Sequence, residues 1–133
     1  MIRILDANLN RIREGIRVIE DIARYILENK ELSIRLKNIR HLCRIDKDFI
    51  ELIRNRDIKK DILKQSTISE QNRDNIKSIA IANFKRSQES ARVLEEMLKI
   101  ESNTLSEQFK KIRYELYDIE ITYFAVLEKY SIL

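Results

Sequence analysis

A fifteen-residue segment that occurs twice constrains the fold of this chain more than any other feature. Residues 7–21 (ANLNRIREGIRVIED) return as residues 82–96 (ANFKRSQESARVLEE), and seven of the fifteen positions are identical. Core packing alone would preserve apolar side chains and let polar ones vary, yet five of the identical positions are polar. The repeat therefore indicates either a duplicated structural joint or a duplicated ligand-binding edge.

The near absence of glycine and proline predicts an all-helical fold. The 133 residues include one glycine and no proline, and turns and sheets normally need both. A chain of this length is expected to form one domain with its own core. The spacing of apolar residues predicts helices over 6–27, 31–53, 69–100 and 104–130. Capping-box patterns that begin at Thr67 and Thr104 favour the last two starts.

The apolar residues at helical spacing are expected to face the core of the protein. A turn at 29–30 separates the first two helices. The first helix presents one stripe: Leu9, Ile12, Ile16, Ile19, Ala23, Ile26 and Leu27. The second is expected to turn eight residues inward: Leu32, Leu36, Ile39, Leu42, Cys43, Phe49, Ile50 and Ile53.

The repeat extends beyond the fifteen-residue segment. Residues 36–40 (LKNIR) align with residues 109–113 (FKKIR) at an offset of 73, so the duplicated unit is a helical hairpin. This predicts an antiparallel four-helix bundle in a single domain spanning 1–133. The first repeat covers about 4–54, a linker 55–72, and the second repeat 73–131. A similar symmetric structure can form between two chains, so a homodimer stays open.

Charge and motif content exclude several functional classes. The net charge of +4 comes from 26 basic and 22 acidic residues, which permits a phosphorylated ligand. The basic residues are interleaved with acidic ones, so an RNA-binding bundle is disfavoured. No apolar run approaches the roughly 20 residues that span a membrane. A single glycine cannot build a phosphate-binding glycine loop, and a single cysteine predicts a reducing, cytoplasmic location.

The repeated polar residues lie on one flank of the apolar stripe on a helical wheel. Asn8 and Arg11 run down this flank beside Gly15, with Glu14 just beyond Arg11. A small residue here lets another backbone or a flat ligand approach closely, and an amide with a guanidinium can hold a phosphate or a heterocycle edge. Both the structural joint and the ligand site remain open. The second copy places four residues equivalently: Asn83, Arg86, Glu89 and Ser90.

The linker carries the other candidate residues. Arg56 could hold a phosphate, and Asp57 and Asp61 could hold Mg²⁺, in a mobile charged lid. The alternative is a solvated loop. The single histidine, His41, is expected at the surface, and Cys43 is expected to be a small core residue. The aromatic residues of the last helix are expected to pack in or beside the core: Tyr114, Tyr117, Tyr123 and Phe124.

The chain resembles a helical domain often found N-terminal to thiamine-phosphate synthase. Its opening, residues 3–25, reads RILDANLNRIREGIRVIEDIARY, and further likenesses lie at 36–41, 82–89, 92–96 and 113–117. The resemblance implies a hydroxymethylpyrimidine-phosphate kinase that transfers the γ-phosphoryl group of ATP to its substrate. It also implies ATP and Mg²⁺ as cofactors and a small phosphorylated pyrimidine as the ligand.

Roles follow from the repeat together with this chemistry. Three arginines, Arg11, Arg86 and Arg56, are expected to hold phosphates, and Asn8 and Asn83 to orient polar edges of the substrate. The metal ligands are expected to be Asp57 and Asp61, or else Glu14 and Glu89. The linker keeps the Arg-Asp and Asp of the family pattern but has Lys60 and Leu63 where that pattern has glycine. A non-enzymatic module that docks on thiamine-phosphate synthase or on itself is the alternative function.

Overall fold

The computed structural model describes residues 1–67 and 73–130, and within these ranges the chain forms five α-helices and no strand. The all-helical prediction is confirmed. No helix in these ranges is long and apolar enough to cross a membrane. The helices are α1 (Ile2–Tyr25), α2 (Lys30–Leu42), α3 (Phe49–Arg54), α4 (Ile76–Leu98) and α5 (Asn103–Leu127).

Helix α1 carries the predicted apolar stripe into the core. Six of its seven predicted residues are buried and Ile26 is half-buried. The helix begins at Ile2, four residues before the predicted start. The predicted range began at Asp6. In the fold Asp6 is buried within the second turn, where it binds Arg56 of the linker.

Helix α2 ends at Leu42, so the prediction of a helix that continues to residue 53 is wrong. Cys43 has a non-helical ψ of 71°, and its carbonyl accepts a hydrogen bond from Arg13 of α1 instead of from the next helical turn. The chain restarts as α3 after Asp48, whose side chain accepts from the Ile50 amide. Four residues predicted to face inward are exposed instead: Leu42, Phe49, Ile50 and Ile53.

The starts of α4 and α5 are also displaced from the prediction. Residues 73–75 are not helical, and α4 begins after Asn75, which forms a capping box with Ser78. The capping pattern predicted at Thr67 includes residues 68–70, which lie outside the described residues. Helix α5 is capped by Ser102, which accepts from the Leu105 amide, and not by Thr104. In both cases an extended N-cap residue with a short polar side chain precedes the helix.

The four long helices pack in pairs around one core. Helix α1 packs on α2 and α4, α5 packs on α4 and α2, and the short α3 lies against α1. At one end Tyr130 donates to the carbonyl of Leu27 at 2.5 Å, and Lys77 binds Glu128 at 2.7 Å. The end of α5 therefore lies beside both the end of α1 and the start of α4, and α1 and α4 run in opposite directions.

Gly15 lies where α1 comes closest to α4. A Cβ atom at this position would lie 3.2 Å from the carbonyl oxygen of Asn83 and would overlap Oγ of Ser87. A mid-helix glycine costs about 1 kcal/mol relative to alanine, and this close approach is the reason the sequence has it. The approaching group is a backbone, which was one of the two expectations for this residue.

Candidate functional site

The glutamates near the end of each repeated segment join the helices of a pair. Glu20 of α1 accepts two hydrogen bonds from Arg40 of α2, at 2.6 and 3.1 Å. Glu95 of α4 accepts two from Arg113 of α5, at 3.1 and 2.9 Å. Both carboxylates are buried, and all four residues stand at equivalent positions of the two repeats. This part of the repeat is a structural joint.

The repeated asparagines are also engaged within the fold. Asn8 and Asn83 are buried, and each amide donates to the carbonyl four residues earlier in its own helix, at 3.0 and 2.8 Å. A second repeated pair forms along each helix, between Arg17 and Asp21 and between Arg92 and Glu96. The structure therefore supplies partners for a further part of the repeated polar set.

The remaining repeated polar residues make no structural contact of this kind. Arg11, Glu14, Arg86 and Glu89 are exposed, and none of them forms a hydrogen bond or ion pair within residues 1–67 and 73–130. Arg11 is thus more exposed than the core border where the helical wheel placed it. Two identical Arg–Glu sets without a structural partner are available to bind a ligand from solvent.

The linker docks on the first turns of α1. Arg56 donates to both carboxylate oxygens of Asp6, each at 2.8 Å, and Arg3 donates to the carbonyl of Asp57 at 2.7 Å. The Asp6 side chain is 6 % exposed. The hydrogen bonds from Arg56 hold the pKa of the Asp6 carboxyl below its ordinary value, against the opposing effect of burial. The predicted linker residue Arg56 is therefore held on the helix.

The two linker carboxylates lie together beside this contact. Asp57 and Asp61 line a cavity of about 150 Å³ with Asp6 and Arg56. One oxygen of Asp57 accepts from the Lys60 amide at 2.9 Å, and one oxygen of Asp61 accepts from the Leu63 amide at 3.0 Å. The second oxygen of each has no hydrogen bond among the described residues. Across the same ranges, no group of three or more His, Cys, Asp or Glu side chains could hold a metal ion.

A polar stripe on α1, formed by Asp6, Asn10, Arg13 and Arg17, leads away from the linker. Asn10 donates to Asp6 at 3.4 Å, and Arg13 donates to Asn10 at 3.3 Å. Arg13 also donates to the carbonyl of Cys43 at 3.1 Å. Spacings of four, three and four residues place these side chains on one face of the helix. The stripe connects the linker carboxylates to the junction of α1 and α2.

At that junction lies a basic cavity of about 580 Å³. Arg13 and Arg17 of α1 meet Arg40 of α2 and Arg44 just after it. The sequence interpretation missed this cavity because its arginines converge only when the two helices pack. The signal was the i, i+4 spacing of arginines in both segments. The full lining is Arg13, Glu14, Arg17, Arg40, His41, Cys43 and Arg44.

Cys43 and the aromatic residues complete the predicted set. Burial raises the pKa of the Cys43 thiol to about 12, so this core residue is not a thiolate near neutral pH. His41 is exposed, as predicted.

Among the aromatic residues of α5, the prediction of core or border packing is confirmed for Tyr123 and Phe124, which are buried and half-buried, and Tyr117 lies at the border with 37 % exposure. The prediction is wrong for Tyr114, which is 57 % exposed. The rings of Tyr114 and Tyr117 lie within 6 Å of the Arg113 guanidinium, at 5.0 and 5.9 Å.

A larger cavity lies elsewhere, between α2 and α5. Its volume is about 940 Å³, and its walls include Ile39, Leu42 and Ile112 together with Arg35 and Lys111. None of the residues predicted from the repeat or the linker lines it. Its lining is mostly neutral or paired, since Arg35 binds two carboxylates of α5. Cavity volume alone therefore does not identify the candidate site.

Comparison with known proteins relates this chain to one family and to one group of enzymes. The model of the ThiD2 family matches residues 3–122 of this chain. Thiamine-phosphate synthase of Prochlorococcus marinus subsp. pastoris is 41 % identical over 121 residues, which is 90 % of this chain and 34 % of that protein. The thiamine-phosphate synthases of Nostoc punctiforme and Synechocystis sp. are 40 % and 38 % identical over 120 residues, again 89 % of this chain and 34 % of theirs.

The chain spans about a third of the length of these curated relatives. No solved structure matches it significantly.

Proposed function

The chain belongs to the ThiD2 family, and from this membership we propose that it phosphorylates hydroxymethylpyrimidine phosphate to the diphosphate, with ATP as the donor. The family and the thiamine-phosphate synthase relatives connect the chain with thiamine biosynthesis. The proposed product is the diphosphate that a thiamine-phosphate synthase consumes. The reaction thus belongs directly before the one named for the relatives.

The proposed reaction asks little covalent chemistry of the protein. An oxygen of the substrate phosphate attacks the γ-phosphorus of ATP, the bond from that phosphorus to the β–γ bridging oxygen breaks, and ADP leaves. No side chain has to act as a nucleophile. Catalysis requires that the two phosphates be held in line and that their negative charge be neutralised. Arginines on the helices and carboxylates on the docked linker are suited to both requirements.

The observation that supports this proposal most directly is the docking of the linker. The Arg56–Asp6 contact places Asp57 and Asp61 beside the polar stripe of α1. Their free carboxylate oxygens fit a magnesium ion, which proteins usually bind through one or two carboxylates and the substrate phosphates. Such an ion would neutralise charge on the transferred phosphoryl group. In this proposal Asp57 and Asp61 hold the ion.

The repeated residues have complementary roles in this proposal. Arg11 and Arg86 bind phosphate oxygens, since they are exposed and have no partner in the described part of the chain. Glu14 and Glu89 lie beside these arginines. They accept hydrogen bonds from the polar edge of the pyrimidine or contribute ligands to the magnesium ion. Asn8 and Asn83 act as positioning residues, since each amide is held by a hydrogen bond to a carbonyl of its own helix, at 3.0 and 2.8 Å.

Turnover by the purified protein tests the proposal. ATP, Mg²⁺ and hydroxymethylpyrimidine phosphate should yield ADP and the pyrimidine diphosphate, measured by coupled ADP release and mass spectrometry. Asp57→Asn with Asp61→Asn should lower kcat by about 100-fold or more, because lost charge stabilisation at one group typically costs that much. Asp46→Asn, an exposed carboxylate outside the cavity, is the matched control. No product from the wild-type protein would refute the function; a fully active double variant would refute only the metal site.

A non-enzymatic interaction module is the second candidate, favoured by one observation. Three apolar side chains after α3, Ile58, Ile62 and Leu63, are 71 %, 93 % and 80 % exposed. Exposed apolar groups close in sequence are typical of a docking surface. Thiamine-phosphate synthase or a second copy of this chain would be the partner. Tight association by a protein that binds neither substrate nor ATP would favour this candidate over the kinase.

We also propose that the four long helices form one antiparallel bundle of two duplicated hairpins. The equivalent Glu20–Arg40 and Glu95–Arg113 contacts support this reading. So does the opposite direction of α1 and α4, which a two-fold axis perpendicular to the helices would produce. An experimental structure in which the hairpins do not superpose would contradict it.

A further inference from the structure

The basic cavity at the junction of α1 and α2 contains charge that the fold does not neutralise. Arg40 is bound by Glu20, and Arg17 lies 3.4 Å from Asp21. Arg13 and Arg44 differ, because their acceptors within the described ranges are the carbonyls and the amide oxygen of neutral groups. Arg13 and Arg44 therefore both line the cavity without a carboxylate bound to either among the described residues, and the one carboxylate in the lining, Glu14, is outnumbered by four arginines.

The second repeat shows that the scaffold does not need these charges. It retains the buried glutamate–arginine joint and the arginine–carboxylate pair along the helix. The positions that correspond to the unpaired basic residues of the cavity are uncharged there. Arg13, His41 and Arg44 of the first repeat correspond to Gln88, Tyr114 and Tyr117 of the second.

Like charges gathered in a concave site disfavour the folded state unless an anion is bound. Arginine is suited to phosphate because its planar fork donates two parallel hydrogen bonds to an oxyanion. The cavity is also held in place from both sides. Arg13 binds the carbonyl of Cys43 at 3.1 Å, and the stripe through Asn10 and Asp6 fixes it relative to the linker.

We propose that this basic cavity binds the phosphate chain of a polyphosphorylated ligand through Arg13 and Arg44. The identification of that ligand as the nucleotide rests on the proposed kinase function, whereas the anion site does not. The phosphate chain would then lie along the polar stripe, between the basic cavity and the carboxylates of Asp57 and Asp61. A phosphate group could come from the nucleotide or from the monophosphorylated substrate, and the experiment separates the two.

The test is isothermal titration of the full chain with tripolyphosphate, ATP, inorganic phosphate and hydroxymethylpyrimidine phosphate. Arg13→Gln with Arg44→Gln should weaken tripolyphosphate binding by at least about tenfold, since each removes a charge-assisted contact. Lys37→Gln with Lys110→Gln removes the same charge from exposed positions outside the cavity and should change affinity by less than about twofold. Equal affinity in the wild-type and both double variants would overturn the proposal.

The four ligands separate the sources of the phosphate. Loss of ATP and tripolyphosphate binding, with pyrimidine phosphate binding retained, assigns the cavity to the nucleotide. Loss of pyrimidine phosphate binding alone overturns the polyphosphate assignment. Arg44→Tyr, which introduces the residue of the second repeat, keeps the test decisive if the double variant does not fold.

The outcome is also distinct from that of the kinase proposal. Tripolyphosphate binding that depends on Arg13 and Arg44, without any turnover, would support the anion site and contradict the kinase proposal. Turnover by the double variant with the wild-type KM for ATP would contradict the anion site and support the kinase proposal.

Discussion

The buried contact between Glu95 and Arg113 gives the sharpest test of the structural interpretation of the repeat. Their side chains are 7 % and 10 % exposed, and two hydrogen bonds at 3.1 and 2.9 Å join them. Glu95→Gln keeps the size of the side chain and removes its charge, so Arg113 keeps a buried charge without a counter-ion. Breaking a buried pair in this way costs about 3–5 kcal/mol. We expect about 3 kcal/mol, since the amide oxygen can still accept one hydrogen bond.

Urea unfolding followed by far-ultraviolet circular dichroism measures this loss. A loss of about 3 kcal/mol should lower Tm by roughly 10 °C in a domain of this size. Glu96→Gln, at the exposed next position, is the matched control and should cost less than about 0.5 kcal/mol. Replacing both partners, Glu95→Leu with Arg113→Met, should restore stability to within about 1 kcal/mol of the wild-type protein. A single variant that loses less than about 1 kcal/mol, or a double variant as unstable as the single, would refute the reasoning.

Three further predictions concern the rest of the repeat and the linker. Ser87→Ala should stabilise the protein by about 0.5–1 kcal/mol, because the Ser87 hydroxyl is buried and has no hydrogen-bond partner among the described residues. Gly15→Ala should lower the free energy of unfolding in urea, and combining it with Ser87→Ala should recover part of the loss. The lowered pKa of Asp6 means that its contribution to stability is present above about pH 3.9 and lost as the pH falls through the lowered pKa; Asp6→Asn should therefore lose less stability than the wild-type between pH 6 and pH 3. Arg11→Ala and Arg86→Ala should each change the free energy of unfolding by less than about 0.5 kcal/mol, because both side chains are exposed. Both should weaken the binding of hydroxymethylpyrimidine phosphate in a thermal-shift titration. If both variants unfold, these arginines have a structural role instead.

Periodicity predicted the helices where local sequence decides them. The stripe of α1 is continuous, and nothing in its sequence interrupts the 3.6-residue period. The end of α2 could not be read in this way, because the apolar spacing continues past Leu42 while the chain does not. The helix stops where the Cys43 carbonyl accepts from Arg13, thirty residues earlier in the chain. Such a contact between helices leaves no local signal.

In the candidate site, too, local sequence predicted some features, whereas contacts between distant segments were not predictable. The linker residues were predicted as site residues because three charged groups stand close together in sequence. The binding of Arg56 to Asp6 spans fifty residues, and no spacing rule predicts it. The arginines of the basic cavity carry a visible i, i+4 spacing in each segment, but only the packing of α1 on α2 brings the two sets together.

The two repeats act as a control for each other. Positions that are retained and paired, such as Glu20 and Glu95, are explained by the joint that they form, since losing either would leave a buried arginine uncompensated. Charged positions that have diverged are not needed for the joint that both repeats share.

The polar stripe belongs to this second class. Asp6 and Asn10 of α1 correspond to Ile81 and Lys85 of α4, and Gln88, in the place of Arg13, has an amide nitrogen without a partner among the described residues. The second repeat therefore has no carboxylate to receive a linker arginine and no guanidinium to continue the stripe. Because the linker docks through Asp6, we expect chemistry that uses Asp57 and Asp61 to depend on the polar stripe of the first repeat. Substitutions at Asp6 should then reduce turnover strongly, and a substitution at Ile81 should not.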